Sequence, residues 1–243
     1  MTRHRVLWIT LFLALAVWLT MPWLRMALNL LEQRMTGPKT IEDRLIQYGT
    51  VVEQRLAPAF ARVGLTFPPE RVLLLGLKRE RRLEVLVATA SGPWHVLCAY
   101  PILAASGVSG PKLREGDRQV PEGLYRIESL NPNSRFHLAL RVNYPNEFDR
   151  AQALRAGRDN LGGDIMIHGN QVSIGCLAMG DEAAEDLFVL AARTGLPNIR
   201  VLLAPCDLRT EGLPPPADGD PAWLSELYKE LQAEMKILPE MAR

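Results

Sequence analysis

Between positions 6 and 24 the chain runs without a charge, as VLWITLFLALAVWLTMPWL, behind Arg3, His4 and Arg5. At ~1.5 Å per helical residue such a run reaches about the ~30 Å of a bilayer core. A secretory signal would end in small residues at a cleavage site, but Ala14 and Ala16 lie inside the run and Met21-Pro22-Trp23 is bulky. The pattern therefore predicts an uncleaved membrane anchor, with a cleaved signal peptide as the alternative. Basic residues before the span hold the N-terminus in the cytoplasm and place the rest of the chain on the periplasmic or extracellular side.

Beyond the anchor, hydrophobic periodicity alternates between helix and strand. Thr40-Ile41-Glu42-Asp43 reads as a capping box opening a helix with Ile41, Leu45, Tyr48, Val52, Leu56 and Phe60 on one side, closed by Gly64. Runs rich in Val and Leu at 71–78, 82–89 and 94–101 predict a meander of strands, and 124–129 and 136–142 predict two more. A helix over 146–155, a short strand at 164–168, a helix capped by Asp181 and stopped at Gly195, and a strand at 198–204 follow. After the Pro-rich stretch 212–216, Asp220-Pro221 reads as the start of a terminal amphipathic helix carrying Trp223, Leu227 and Leu231. The expected organisation is an anchor at 1–25, a linker and amphipathic helix at 26–70, a mainly β unit of the α+β class at 71–207, and a linker with a terminal helix at 208–243.

Composition narrows the partners. Lys plus Arg number 28 against 27 Asp plus Glu, a net charge of +1, so the basic surplus that nucleic-acid binding needs is missing. Three cysteines, Cys98, Cys176 and Cys206, are too few for a disulfide scaffold and show no CxxC spacing. Cys98 and Cys206, near the ends of apolar strands, are expected to be free buried thiols, with a bridge between them as the alternative. His95 and His137 stand in predicted strands without a ligand partner, so no metal site is expected, and nothing implies an organic cofactor.

Candidate chemistry concentrates in IMIHGNQVSIGCLAM, residues 165–179. A thiol attacks a carbonyl as thiolate, and an imidazole within reach can take its proton, so His168 and Cys176 are candidate partners. Gly175 allows close approach of a substrate backbone and is expected to leave the Cys176 amide free to face a developing oxyanion. Arg150 and Lys112 could pair with substrate carboxylates. Asp117 and Glu122, in Gly-Asp and Pro-Glu-Gly, are read as turn chemistry.

Gly110-Pro111-Lys112, the block from Glu115 to Tyr125, the segment NYPNEFDR at 143–150, and the His168-Gly169 and Ser173-x-Gly175-Cys176 elements together resemble the L,D-transpeptidase (YkuD-type) catalytic domain over about 71–207. The resemblance implies a β-sandwich with flanking helices. It makes Cys176 the nucleophile and His168 the general base and then acid, puts the Gly175 and Cys176 amides in the oxyanion site, and gives Gly169 and Ser173 to the pocket. The implied chemistry is attack on the L-centre carbonyl of diaminopimelate in peptidoglycan stem peptides, with transfer of the acyl group to an amine. One Gram-negative branch of the family includes a hydrolase that releases a peptidoglycan-bound lipoprotein, so transfer to water is the alternative. The implied location is the inner membrane, with the catalytic unit in the periplasm. Ile174 stands where the family commonly has a second histidine, Leu177-Ala178-Met179 replaces a common arginine, and the His168–Cys176 connection is short. These departures motivate a further alternative, a catalytically silent peptidoglycan-binding protein.

Overall fold

The computed structural model describes residues 37–173 and 175–241, with Leu24, Ala27, Leu31, Arg34 and Met35 of the preceding segment. The expected anchor at 6–24 lies, but for Leu24, outside the described residues, as does Ile174. No helix among the described residues is long and apolar enough to cross a membrane.

Helix α1 (Ile41–Val63) begins as its capping box dictates: the Asp43 amide donates to Thr40 Oγ1 at 3.1 Å and the Thr40 amide to Asp43 Oδ2 at 2.7 Å. Gly64, at φ +69°, ends it in the left-handed conformation. Leu45, Val52, Leu56 and Phe60 form the buried stripe, whereas Ile41 remains 39% exposed at the open end.

Eight strands follow: β1 (Arg71–Leu77), β2 (Arg82–Ala88), β3 (His95–Pro101), β4 (Gly123–Ser134), β5 (His137–Val142), β6 (Met166–His168), β7 (Leu177–Ala178) and β8 (Ile199–Ala204). Three further helices interleave with them: α2 (Glu147–Arg155), α3 (Asp181–Thr194) and α4 (Leu224–Lys236). The strands form one sheet in the order β3-β2-β1-β8-β4-β5-β6-β7, with β1–β8 and β6–β7 parallel. The expected sandwich is instead a single curled sheet. Long strand β4 pairs with β8 through Gly123–Arg126 and with β5 from Ile127 onward, and a register shift between Ile127 and Ser129 turns it from one half to the other.

Strands β1 and β2 are apolar at nearly every position because both faces are covered. Val72 and Leu74 face the core shared with α1 and α3, while Leu73, Leu75 and Leu77 pack with Leu224, Leu227, Leu231 and Met235 of α4. Cys98 belongs to the first side and Cys206 to the second, and all three cysteines are free thiols.

Several local expectations are corrected. Helix α3 has Gly180 at its N-cap with no side-chain cap, and Asp181 Oδ1 instead accepts the Asn170 amide at 2.7 Å. Helix α4 starts at Leu224, because Asp220 spends its carboxylate on the Ala217 amide, 2.8 Å away. Glu122 is more than a turn residue. It is buried, paired with Lys78 Nζ at 2.8 Å and bonded by the Tyr228 hydroxyl at 2.6 Å, and so ties the chain after β1 to α4.

Candidate active site

Strand β6 is only three residues long, but it is held on both sides. It pairs antiparallel with β5, Arg141 opposite Met166 and Ala139 opposite His168, and parallel with β7, Ile167 opposite Leu177 and His168 opposite Ala178. Extending the β6–β7 register by one position sets Cys176 beside Met166. The Met166 amide donates to Cys176 Sγ at 3.4 Å, and Sγ lies 3.5 Å from the Asp164 carbonyl, which accepts its proton. Residues opposite one another in a pleated pair share a face, as do residues two apart along a strand. In this register Cys176 stands diagonally across the pair from His168. No hydrogen bond joins them among the described residues.

His168 is 1% exposed and stacks on Phe136, ring centroids 4.7 Å apart. Its Nδ1 lies 2.6 Å from the Gly169 carbonyl. A carbonyl only accepts, so Nδ1 carries the proton in the neutral ring and Nε2 presents the lone pair. Burial holds the imidazole below its ordinary pKa, with the Gly169 carbonyl opposing. Burial likewise pushes the Cys176 thiol up, aided by the Asp164 charge and opposed by the Met166 amide and Lys112. Both shifts favour neutral forms, so the resting site is a thiol and a neutral imidazole rather than an ion pair.

The connection 169–175 brings Cys176 back to the histidine strand. At Gly169 a Cβ would meet the Phe136 carbonyl at 2.7 Å and Asp181 Oδ1 at 2.8 Å, so packing demands glycine there. At Gly175 it is the backbone, with φ +93°, that does so. The expected free amides are both engaged. Cys176 N–H donates to Ser173 Oγ at 3.0 Å, Ser173 Oγ donates to the Cys176 carbonyl at 2.6 Å, and Gly175 N–H donates to Ser106 Oγ at 2.6 Å. Ser106, which also donates to the Arg118 carbonyl at 2.7 Å, went unseen in the sequence because nothing in its own neighbourhood marks it.

Lys112 is not a free substrate ligand. It is 7% exposed, bonds Asp117 Oδ1 at 2.6 Å and the Arg114 carbonyl at 2.9 Å, and so organises the loop before β4. Burial alone would raise the Asp117 carboxyl, but Lys112 and the amides of Arg114, Gln119 and Leu113 outweigh it and hold the pKa down. Arg150, by contrast, is exposed on α2 and lines an open groove of about 1150 Å³. The rest of the NYPNEFDR segment builds that groove's wall. Asn143 accepts the Arg126 amide at 2.8 Å, the Tyr144 hydroxyl donates to the Lys112 carbonyl at 3.2 Å, and Asn146 and Asp149 cap α2.

The fold is a curled, mainly β sheet that places a histidine strand beside a Gly-Cys turn. The L,D-transpeptidase catalytic domain (YkuD) model matches residues 78–201, and the chain belongs to that family. YafK of Escherichia coli strain K12 and YafK of Escherichia coli O157:H7 are each 35% identical to it over 133 residues, covering 53% of this chain and 51% of theirs. The chain thus spans about half the length of the curated relatives it matches. Among solved structures, the helical cell shape determining protein Pgp2 from Campylobacter jejuni is 24% identical over 55% of this chain and 47% of its own, with a TM-score of 0.45. Bd1075 of Bdellovibrio bacteriovorus is 20% identical over 70% of this chain and 56% of its own, with a TM-score of 0.43. Neither structural likeness bears on the chemistry.

Proposed function

We propose that this protein is an L,D-transpeptidase-type acyltransferase acting on peptidoglycan stem peptides, with Cys176 as nucleophile and His168 as general base. The observation that carries this reading is the Nδ1–Gly169 bond of His168, which leaves Nε2 as the proton acceptor on a strand paired with the one that directly follows Cys176. Attack of Sγ on the L-centre carbonyl of diaminopimelate passes the thiol proton to Nε2. The imidazolium then returns that proton to the departing amine, leaving a thioester. An incoming amine gives up its proton to the same nitrogen as it resolves the thioester, completing L,D-transpeptidation. The Gly175 and Cys176 amides serve the oxyanion once Ser106 and Ser173 release them.

Hydrolysis is the second reading, supported by the short 169–175 connection, which leaves less chain to enclose the acceptor side of the cleft. In it, water replaces the amine and frees a lipoprotein or another group held on diaminopimelate. The same proposal places the catalytic unit in the periplasm, tethered to the inner membrane by 6–24.

Incubation of the full chain with diaminopimelate-containing muropeptides, and with peptidoglycan bearing covalent lipoprotein, tests it. Mass spectrometry is expected to show cross-linked or exchanged products that vanish in Cys176→Ala and His168→Ala. Products bearing added water would replace transpeptidation by hydrolysis. Binding without any product would sink both and leave the silent binding protein.

A further inference from the structure

The groove lined by Arg150 reaches to within one residue of the Asp164 carbonyl that bonds the thiol. Gly162, Gly163 and Arg141 line it, and the next residue, Asp164, supplies the carbonyl that accepts the Cys176 thiol proton. Arg141 joins groove and thiol twice: its backbone pairs with Met166, whose amide reaches Sγ, and its guanidinium grips the Asp164 carboxylate at 3.0 Å.

The charge of the groove is one-sided. Four guanidinium groups line it, those of Arg126, Arg141, Arg150 and Arg200, against the carboxylates of Glu128 and Glu147. Two of the four are already matched, Arg141 by Glu128 at 2.9 Å and by Asp164, and Arg200 by Glu234 at 2.7 Å. Arg126, on β4, and Arg150, on α2, are exposed and make no ion pair among the described residues. The framework beneath them is rigid, because the Arg126 amide is held by Asn143 and α2 is fixed by its capping box. Guanidinium forks without partners, set on fixed backbone in an open groove, are suited to carboxylates, which they can bind in bidentate fashion.

We infer that this groove binds an extended, carboxylate-bearing peptide leading to Cys176, with Arg126 and Arg150 as its carboxylate-binding residues. The inference rests on the stem-peptide reading above and adds the residues that select for free carboxylates over their amides. Neither arginine touches the reacting atoms, so both act on affinity rather than on the chemical step.

The test is equilibrium binding, which needs no turnover. Full-length Cys176→Ala protein is titrated against a fluorescein-labelled, diaminopimelate-containing tetrapeptide, made once with free carboxylates and once with those groups amidated. The free form is expected to bind about tenfold more tightly and to weaken as salt rises. Adding Arg126→Gln and Arg150→Gln together should bring the free form down to the affinity of the amide, with the melting temperature unchanged because both side chains are exposed. Equal binding of the two peptides, or discrimination that survives the double substitution, overturns the assignment of these arginines and leaves the stem-peptide reading standing. Binding of neither peptide overturns both.

Discussion

Ser106 accepts the Gly175 amide proton at 2.6 Å across 69 positions of sequence, so the residue before Cys176 is tied to the loop between β3 and β4, just upstream of Gly110-Pro111-Lys112. The bond fixes the left-handed Gly175 turn in the resting protein. It also occupies an amide that an oxyanion would need. Ser106→Ala is expected to cost about 0.5–1.5 kcal/mol, the usual net value of such a bond. Urea unfolding of the variant beside the wild type checks this, and an unchanged midpoint would show that the bond contributes nothing.

The neutral resting pair predicts how Cys176 reacts with pH. Burial raises the thiol, so alkylation of Cys176 by iodoacetamide, followed by peptide mass spectrometry, should have a midpoint above that of free cysteine in the same buffer. Since His168 makes no bond to the thiol, His168→Ala should leave that profile nearly unchanged while lowering substrate acylation by about 10²–10⁴-fold. A midpoint below that of free cysteine would mean a preformed thiolate–imidazolium pair.

The same two shifts affect stability in opposite directions. His168 is lowered on folding, so its contribution is fully present above the ordinary imidazole range and is lost as pH falls through the folded value. Cys176 is raised, so its contribution is present below the ordinary thiol value and is lost as pH rises toward the folded one. In denaturation series across pH, His168→Phe is expected to flatten the acid limb and Cys176→Ala the alkaline limb.

Gly169 is a packing glycine. An alanine methyl there would lie 2.7 Å from the Phe136 carbonyl, which belongs to backbone and cannot swing aside. Gly169→Ala is expected to destabilise the protein by about 1–3 kcal/mol and to disturb the His168 ring, whose Nδ1 bonds the Gly169 carbonyl. Calorimetry reads the first effect and the pH dependence of acylation the second.

Glu122 neutralises Lys78 in a site closed to water, with side chains 0% and 10% exposed. Glu122→Gln keeps the shape but strands the ammonium, and is expected to cost roughly 3–5 kcal/mol. Tyr228→Phe removes one charge-assisted bond and should cost less, about 1.5–3 kcal/mol. Equal losses in chemical denaturation would show that the hydroxyl, not the ion pair, dominates.

How much was legible depended on sequence distance. The capping box of α1, the doubly buried β1 and β2, and the helix over 147–155 follow from signals within a few residues of one another, and the structure forms them where the pattern puts them. The family signature was equally readable, because its residues lie in short blocks. Lys112 and Glu122 were misread because charged residues among glycines and prolines look exposed, and only their partners Asp117, Lys78 and Tyr228 reveal the burial. The strand β7, two residues long, exists only because β6 offers it a parallel edge and Leu103 and Ala104 bond Ala178 on the other side.

The sequence by itself determined the order of the helices and of every strand but β7, the family, and the candidacy of His168 and Cys176, since each depends on local periodicity or on contiguous motifs. Tertiary structure alone decided that the sheet is one curled surface, that Ser106 and Ser173 hold the amides beside the thiol, and that Arg126 and Arg150 line one groove. Those outcomes depend on strand register and on contacts between distant segments. Such contacts form only when burial of the apolar faces closes the chain on itself, so no local pattern encodes them.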